Sequence, residues 1–228
     1  MVNYLALLSS QNPYDRLDGW FKIDWLIQND IVSKEKLIEM KDKFLELLSY
    51  NDDTVKLHAW EMVPKLISKG IITVEDVKKY DFLSLLYDSE AWLLVRDLVN
   101  SGVVDVEKVK KEKEKYISFL KGNELDRIAS WSLILDMFNA GIITKEEIED
   151  NKKYLLELFN FPAYDIRFNL LFLVSELLKK GVISQEELKP YDKKIEEIIK
   201  DKDFKQFVKI YEKDPRELES LGIHIFNS

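Results

Sequence analysis

The chain has 228 residues, 46% of them hydrophobic and 33% charged, with seven glycines, five prolines and no cysteine. This balance favours helix around a packed core over disorder or a β-sandwich, and it excludes disulfides, thiolate metal sites and a cysteine nucleophile. A formal net charge of −8 opposes the counterion release by which proteins hold nucleic acid, since that needs clustered Lys and Arg.

The first ten residues, MVNYLALLSS, lack a basic segment and a long apolar run, and no later run reaches membrane-spanning length. The expectation is a soluble, cytoplasmic protein with no membrane partner. Abundant Lys and Glu without cysteine is also the composition of thermophile proteins.

One phrase recurs along the chain: Gly, two β-branched aliphatics, a capping residue, then Glu. Its copies are DIVSKEKL from Asp30, GIITVEDV from Gly70, GVVDVEKV from Gly102, GIITKEEI from Gly141 and GVISQEEL from Gly181, spaced by 40, 32, 39 and 40 residues. LGIHIF around Gly222 continues the period as a worn copy.

Each copy reads as a helix stop followed by a helix start. Glycine tolerates the left-handed conformation that closes a helix, with Asp30 as the weaker substitute. Ser33, Thr73, Asp105, Thr144 and Ser184 follow as N-caps. Glu35, Glu75, Glu107, Glu146 and Glu186 then set negative charge at the positive end of the helix dipole. Thr144 with Glu147, and Ser184 with Glu187, have capping-box spacing.

A first helix follows each cap and ends in an apolar block: KFLELL at 43–48, DFLSLL at 81–86, KYISFL at 115–120, KYLLELF at 153–159 and IEEII at 195–199. A polar turn then leads to a second helix. Counted back from the glycine or Asp30, the second helices align without gaps. Ten residues before stand Trp20, Trp60, Trp92, Trp131 and Leu171; seven before stand Ile23, Val63, Val95, Ile134 and Val174. Three before stand Ile27, Ile67, Val99, Phe138 and Leu178. These offsets describe one buried stripe. Beside the Trp position lie Gly19, Ala59, Ala91, Ser130 and Leu170, mostly small, where a neighbouring helix can approach closely.

The second helices open with Asp15-Arg16, Val55-Lys56, Asp126-Arg127 and Ile166-Arg167. The stretch Asp52-Asp53-Thr54-Val55-Lys56-Leu57-His58-Ala59 resembles the second helix of a HEAT repeat, and the resemblance runs from about Asn12 to Ile199. It implies an all-α fold: a right-handed α-α superhelix of about five HEAT-like hairpins, roughly 40 residues each. On this reading one domain, 1–228, holds repeats at 1–30, 31–70, 71–102, 103–141 and 142–181, with 182–228 as C-terminal capping helices. The 32-residue copy departs from the pattern, with helix and turn trimmed before Trp92 and Asp88 in place of the basic residue.

Four of the five tryptophans share one repeat position. An aromatic ladder of this kind can stack on nucleobases or a peptide, but the residues are in phase with the aliphatic stripe, which favours core packing. Arg16, Lys56 and Arg127, four residues earlier, are expected to lie over the indoles, a contact worth about 0.5–1 kcal/mol. The helix from Ala163 is apolar all round, so Phe168 and Phe172, off the stripe, either form a partner-contact surface or are enclosed by the terminal helices. Asp97, Asp136 and Glu176, five before the glycine, either line an acidic strip for a basic partner or form a solvated flank. KVKKEKEK at 108–115 mixes signs at helical spacing, as a charged outer face does.

No catalytic set, cofactor site or metal site emerges. His58 and His224 are the only histidines, and no H-E-x-x-H, G-x-S-x-G, Walker A or G-x-G-x-x-G motif occurs. The expected function is a non-enzymatic interaction or scaffold module that binds a protein partner or itself. The rival is an enzyme similar to the HEAT-like DNA alkylpurine glycosylases, in which Trp92, Trp131, Asp136 and Arg127 would be the candidates.

Overall fold

The structure is a computed structural model that describes residues 3–222. It is all-helical, 72% helix, with no strand among the described residues. The chain packs as two compact units, Met1–Lys115 and Tyr116–Ser228.

The first unit contains α1 (Tyr4–Leu7), α2 (Pro13–Phe21), α3 (Ile23–Gln28), α4 (Lys34–Glu39), α5 (Lys41–Leu45), α6 (Asp53–Ser68), α7 (Val74–Val77), α8 (Ser89–Trp92), α9 (Val95–Asn100) and α10 (Val106–Lys110). Here α1 packs on α2, α2 on α5 and α6, and α6 on α9. Helix α11 (Lys113–Leu120) crosses the boundary. The second unit continues with α12 (Glu124–Ser132), α13 (Ile134–Asn139), α14 (Lys145–Leu156), α15 (Tyr164–Lys179), α16 (Gln185–Leu188), α17 (Asp192–Lys200) and α18 (Lys202–Ile210), followed by a 3-10 segment, Pro215–Leu221. There α12 packs on α14 and α15, and α15 on α17 and the terminal 3-10 segment.

The punctuation read from the sequence is present in the backbone. Gly70 has φ +72° and donates its N–H to Ile67 O at 2.9 Å, while Ile71 N–H reaches Leu66 O at 3.0 Å. That pair of bonds is the Schellman closure of a helix. Asp30 does the same at φ +53°, donating to Ile27 O at 3.1 Å, with Ile31 N–H on Leu26 O at 2.9 Å. An L-residue held there carries a cost glycine avoids. Ser33, Thr73, Asp105, Thr144 and Ser184 all accept N-cap bonds. The capping boxes of Thr144 and Ser184 form, and Thr73 with Asp76 adds a third.

The buried stripe differs from the expected one at a single position. Trp20, Trp60, Trp92, Trp131 and Leu171 are at most 1% exposed, and Ile23, Val63, Val95, Ile134 and Val174 are equally enclosed. Three before the glycine, however, Ile27, Ile67, Val99 and Leu178 are half-buried and Phe138 is exposed. The buried residue stands four before: Leu26, Leu66, Leu98, Met137 and Leu177. Offsets three and four both keep helical phase with seven and ten, and they differ by about 100° of rotation; the residue four before is the one that turns inward. The same residue is the Schellman acceptor, whose side chain characteristically meets the apolar residue after the glycine. Each fully buried Leu here contributes about 1.5–3 kcal/mol.

The small positions beside the tryptophans are buried too, and a Cβ on Gly19 would stand 2.8 Å from the backbone nitrogen of Leu8. That contact lets α1 lie directly on α2.

Candidate interaction face

The tryptophans are core residues with a polar duty. Trp20 Nε1 donates to Leu8 O at 3.0 Å, Trp92 to Leu86 O at 2.9 Å and Trp131 to Leu120 O at 3.0 Å. Each indole thus ties a second helix to the end of the segment before it. The shortened copy keeps the bond by reaching back six residues, where Trp131 reaches back eleven. Trp60 is the exception: its Nε1 is buried without a hydrogen-bond partner, a state that costs about 1–3 kcal/mol. Its ring packs edge-on to Phe82, centroids 5.4 Å apart. Because Trp92 and Trp131 are buried, they have no ring face to offer a nucleobase, and the aromatic-ladder reading fails for them.

The basic residues four positions earlier do not lie over these indoles as the sequence suggested. Arg16 donates from Nε to Ser10 O at 2.8 Å and from Nη1 to Lys43 O at 3.1 Å, and pairs with Glu46 at 2.7 Å. Arg127 repeats the arrangement, donating from Nε to Gly122 O at 2.6 Å and from Nη1 to Tyr154 O at 3.2 Å, and pairing with Glu157 at 3.4 Å. The rings beneath its guanidinium belong to Tyr154 and Phe161. The planar fork spans two carbonyls, which an indole face cannot offer, so the helix ends capture it. A second recurrent clamp joins Lys41 to Asp76 at 3.1 Å and Lys152 to Glu187 at 3.3 Å. In both, the acid is the capping-box residue of the helix after the next, α7 or α16. Each arginine pair spans 30 residues and each lysine pair 35. Those recurring separations are the sequence signal that a search for in-helix neighbours passes over.

The shifted titrations have structural causes. Hydrogen bonds from Lys65 and Lys69 hold the Asp24 carboxyl below its usual range. At Asp76 burial opposes the charge, but the Thr73 amide, Lys41 and the Thr73 hydroxyl outweigh it and the pKa is lowered. Burial pushes the Tyr116 phenol well above its ordinary value, and its hydroxyl donates to Ser130 O at 2.5 Å.

Phe168 and Phe172 are 3% and 6% exposed. Phe168 meets the rings of Phe204 and Phe207 at 5.3 and 5.1 Å, and Phe172 lies stacked on Phe204 at 6.3 Å. The contact surface expected there is therefore already occupied: α18 encloses it, because its own apolar pair needs the same burial. Ser175 anchors the following segment through Glu217 O and Ser220. Asp97, in the first unit, is exposed and pairs with Arg96 at 3.3 Å. In the second unit Asp136 is half-buried and Glu176 exposed. His58 is exposed, with Nδ1 3.7 Å from Glu61, and His224 lies outside the described residues.

The face of α15 that α18 covers has a counterpart in the first unit. Nine residues before the glycine or Asp30 stand Phe21, Glu61, Leu93, Ser132 and Phe172. Phe172 is covered, whereas Phe21 is 63% and Leu93 46% exposed. Trp25, four residues on in α3, is 47% exposed and edge-on to Tyr4 at 5.7 Å. Asp24 of α3 binds Lys65 of α6 and Lys69 just past its end, which ties the two helices together. Between α6 and α8–α9 runs an open cleft of about 260 Å³.

Over all 228 residues, and over the whole of the relative, the chain is 89% identical to a protein of Acidianus ambivalens described as "Uncharacterized protein in sor 5'region". The chain belongs to that protein's family. No family model matches it. Among the described residues no helix is long and apolar enough to cross a membrane, and no group of three or more His, Asp or Glu is arranged to hold a metal ion.

Proposed function

We propose that the chain is a non-enzymatic protein-binding module, an α-solenoid of HEAT-like hairpins that holds a protein partner, or a second copy of itself, on the second-helix face of its first unit. The observation that carries this reading is the position nine residues before the helix stop, which is apolar in three of its five copies, Phe21, Leu93 and Phe172. In the second unit a helix of the chain covers it at Phe172; in the first unit Phe21 and Leu93 stand bare on the same register. Side chains of that size gain about 1.5–3 kcal/mol each when fully buried, so a bare set on one face favours association. The recurring arginine and lysine clamps support the solenoid reading, since each joins one hairpin to the next in chain order. A cytoplasmic setting goes with it. The glycosylase alternative has lost its aromatic candidates to the core, and Arg127 is engaged with Gly122, Tyr154 and Glu157.

The test is affinity purification from the source cells with wild-type protein and a Phe21→Asp/Leu93→Asp variant, beside light scattering of each alone. A polypeptide, or a second copy, held by the wild type and lost from a variant with an unchanged helical spectrum supports the reading. The same set held by both proteins overturns it.

A further inference from the structure

We infer that the cleft between α6 and α8–α9 receives a Lys/Arg-rich amphipathic helix of a partner protein. This deepens the interaction reading and rests on it. The floor of the cleft is apolar, from Pro64, Leu93 and Leu94, and its rim carries Glu61, Glu90 and Asp97, with no lysine or arginine in the lining. Glu61, Glu90 and Asp97 are all exposed, Asp97 being paired with Arg96, so Glu61 and Glu90 are the carboxylates that meet a partner. A bound helix that set a neutral or acidic flank against these carboxylates would forfeit their hydration or meet repulsion; a basic flank meets charge with charge.

The chain itself shows what kind of element fits this face. In the second unit the covering element is an amphipathic helix, KDFKQFVKI, whose Phe204 and Phe207 are three residues apart and turned onto α15, while Lys202, Lys205 and Lys209 remain exposed. It sits on Phe168 and Phe172, thirteen and nine residues before Gly181. On α6 the same two offsets before Gly70 hold Leu57 and Glu61. Leu57 is buried and Glu61 exposed, so what α6 offers a partner at these offsets is the acid, and a cation is what meets it. The walls are two helices, the arrangement in which a partner helix lays its apolar ridge. The overall charge of −8 draws a basic segment in from solution.

The experiment is fluorescence anisotropy of the full chain with a labelled peptide of about four helical turns. The peptide has leucines at i, i+3 and i+7 and lysine elsewhere on its polar face, and a twin carries glutamate for lysine. The lysine peptide is expected to bind roughly tenfold or more tightly than its twin, and to weaken as salt rises. Glu61→Lys/Glu90→Lys should weaken it by about tenfold, while Glu197→Lys on α17 leaves it unchanged. Equal binding of the twins, equal loss in both protein variants, or no binding of the lysine peptide overturns the proposal. If the peptide fails while the partner is still lost from the Phe21→Asp/Leu93→Asp variant, the interaction reading stands and only the partner's chemistry is wrong.

Discussion

Replacing Arg127 by alanine tests whether the guanidinium clamp holds the second unit together. The side chain is 14% exposed and donates to two main-chain oxygens, Gly122 at 2.6 Å and Tyr154 at 3.2 Å, in addition to its pair with Glu157. A hydrogen bond from a charged donor contributes about 1.5–3 kcal/mol, and the two share one donor group, so their joint loss is about 3 kcal/mol. The half-exposed Glu157 adds less than about 1 kcal/mol. Lysine has no fork with which to span both oxygens, so Arg127→Lys should cost about half as much. Hydrogen–deuterium exchange of α12 and α14 reads this directly, since about 1.4 kcal/mol is a factor of ten. Protected amides there should exchange roughly hundredfold faster in Arg127→Ala and about tenfold faster in Arg127→Lys. Glu157→Gln should change the rate only a fewfold. If Arg127→Ala exchanges no faster than Glu157→Gln, the salt bridge and not the carbonyl clamp is what matters, and the reasoning fails.

Gly19→Ala should destabilise the first unit by about 1–3 kcal/mol in urea titration, because the new methyl meets the Leu8 main chain at 2.8 Å. Trp131→Phe should cost about 1 kcal/mol more than Trp60→Phe in the same assay, since only Trp131 surrenders a hydrogen bond. Thr144→Ala and Ser184→Ala should each cost about 1 kcal/mol through the lost cap. Because the folded state depresses Asp24 and Asp76, their contribution is present above the ordinary aspartate pKa of about 3.9 and disappears as pH falls through the lowered values. Acid titration of Asp24→Asn/Asp76→Asn should show a shallower loss of stability across that window than the wild type.

Local chemistry was the most legible part of this sequence. A C′ glycine and a Ser or Thr cap act within a few residues of themselves, so the closures at Gly70 and Gly181 and the boxes at Thr144 and Ser184 were open to direct reading. The tryptophan stripe was legible because helical phase alone places Trp60 beside Val63. The same argument misplaced the last member of the stripe: offsets three and four are both compatible with a helix, and only the closure bond at Leu66 O selects Leu66 over Ile67. Arg16 and Arg127 were misread because their acceptors, Lys43 O and Tyr154 O, lie 27 residues away. The enclosure of Phe168 by α18 likewise depended on an element 36 to 39 residues downstream. The bare Phe21 and Leu93 could be aligned with Phe172 from the sequence, but which of the three is covered is a tertiary fact.

Site-specific photo-crosslinking bears most directly on the proposed docking face. A benzophenone side chain at position 21 or 93 should, on irradiation in an extract of the source cells, give one discrete adduct with another polypeptide or a second copy. The same group in place of Leu125, which is 73% exposed in the second unit, should not give that adduct. An identical adduct from all three positions, or none from positions 21 and 93, would contradict a docking face on the second helices of the first unit.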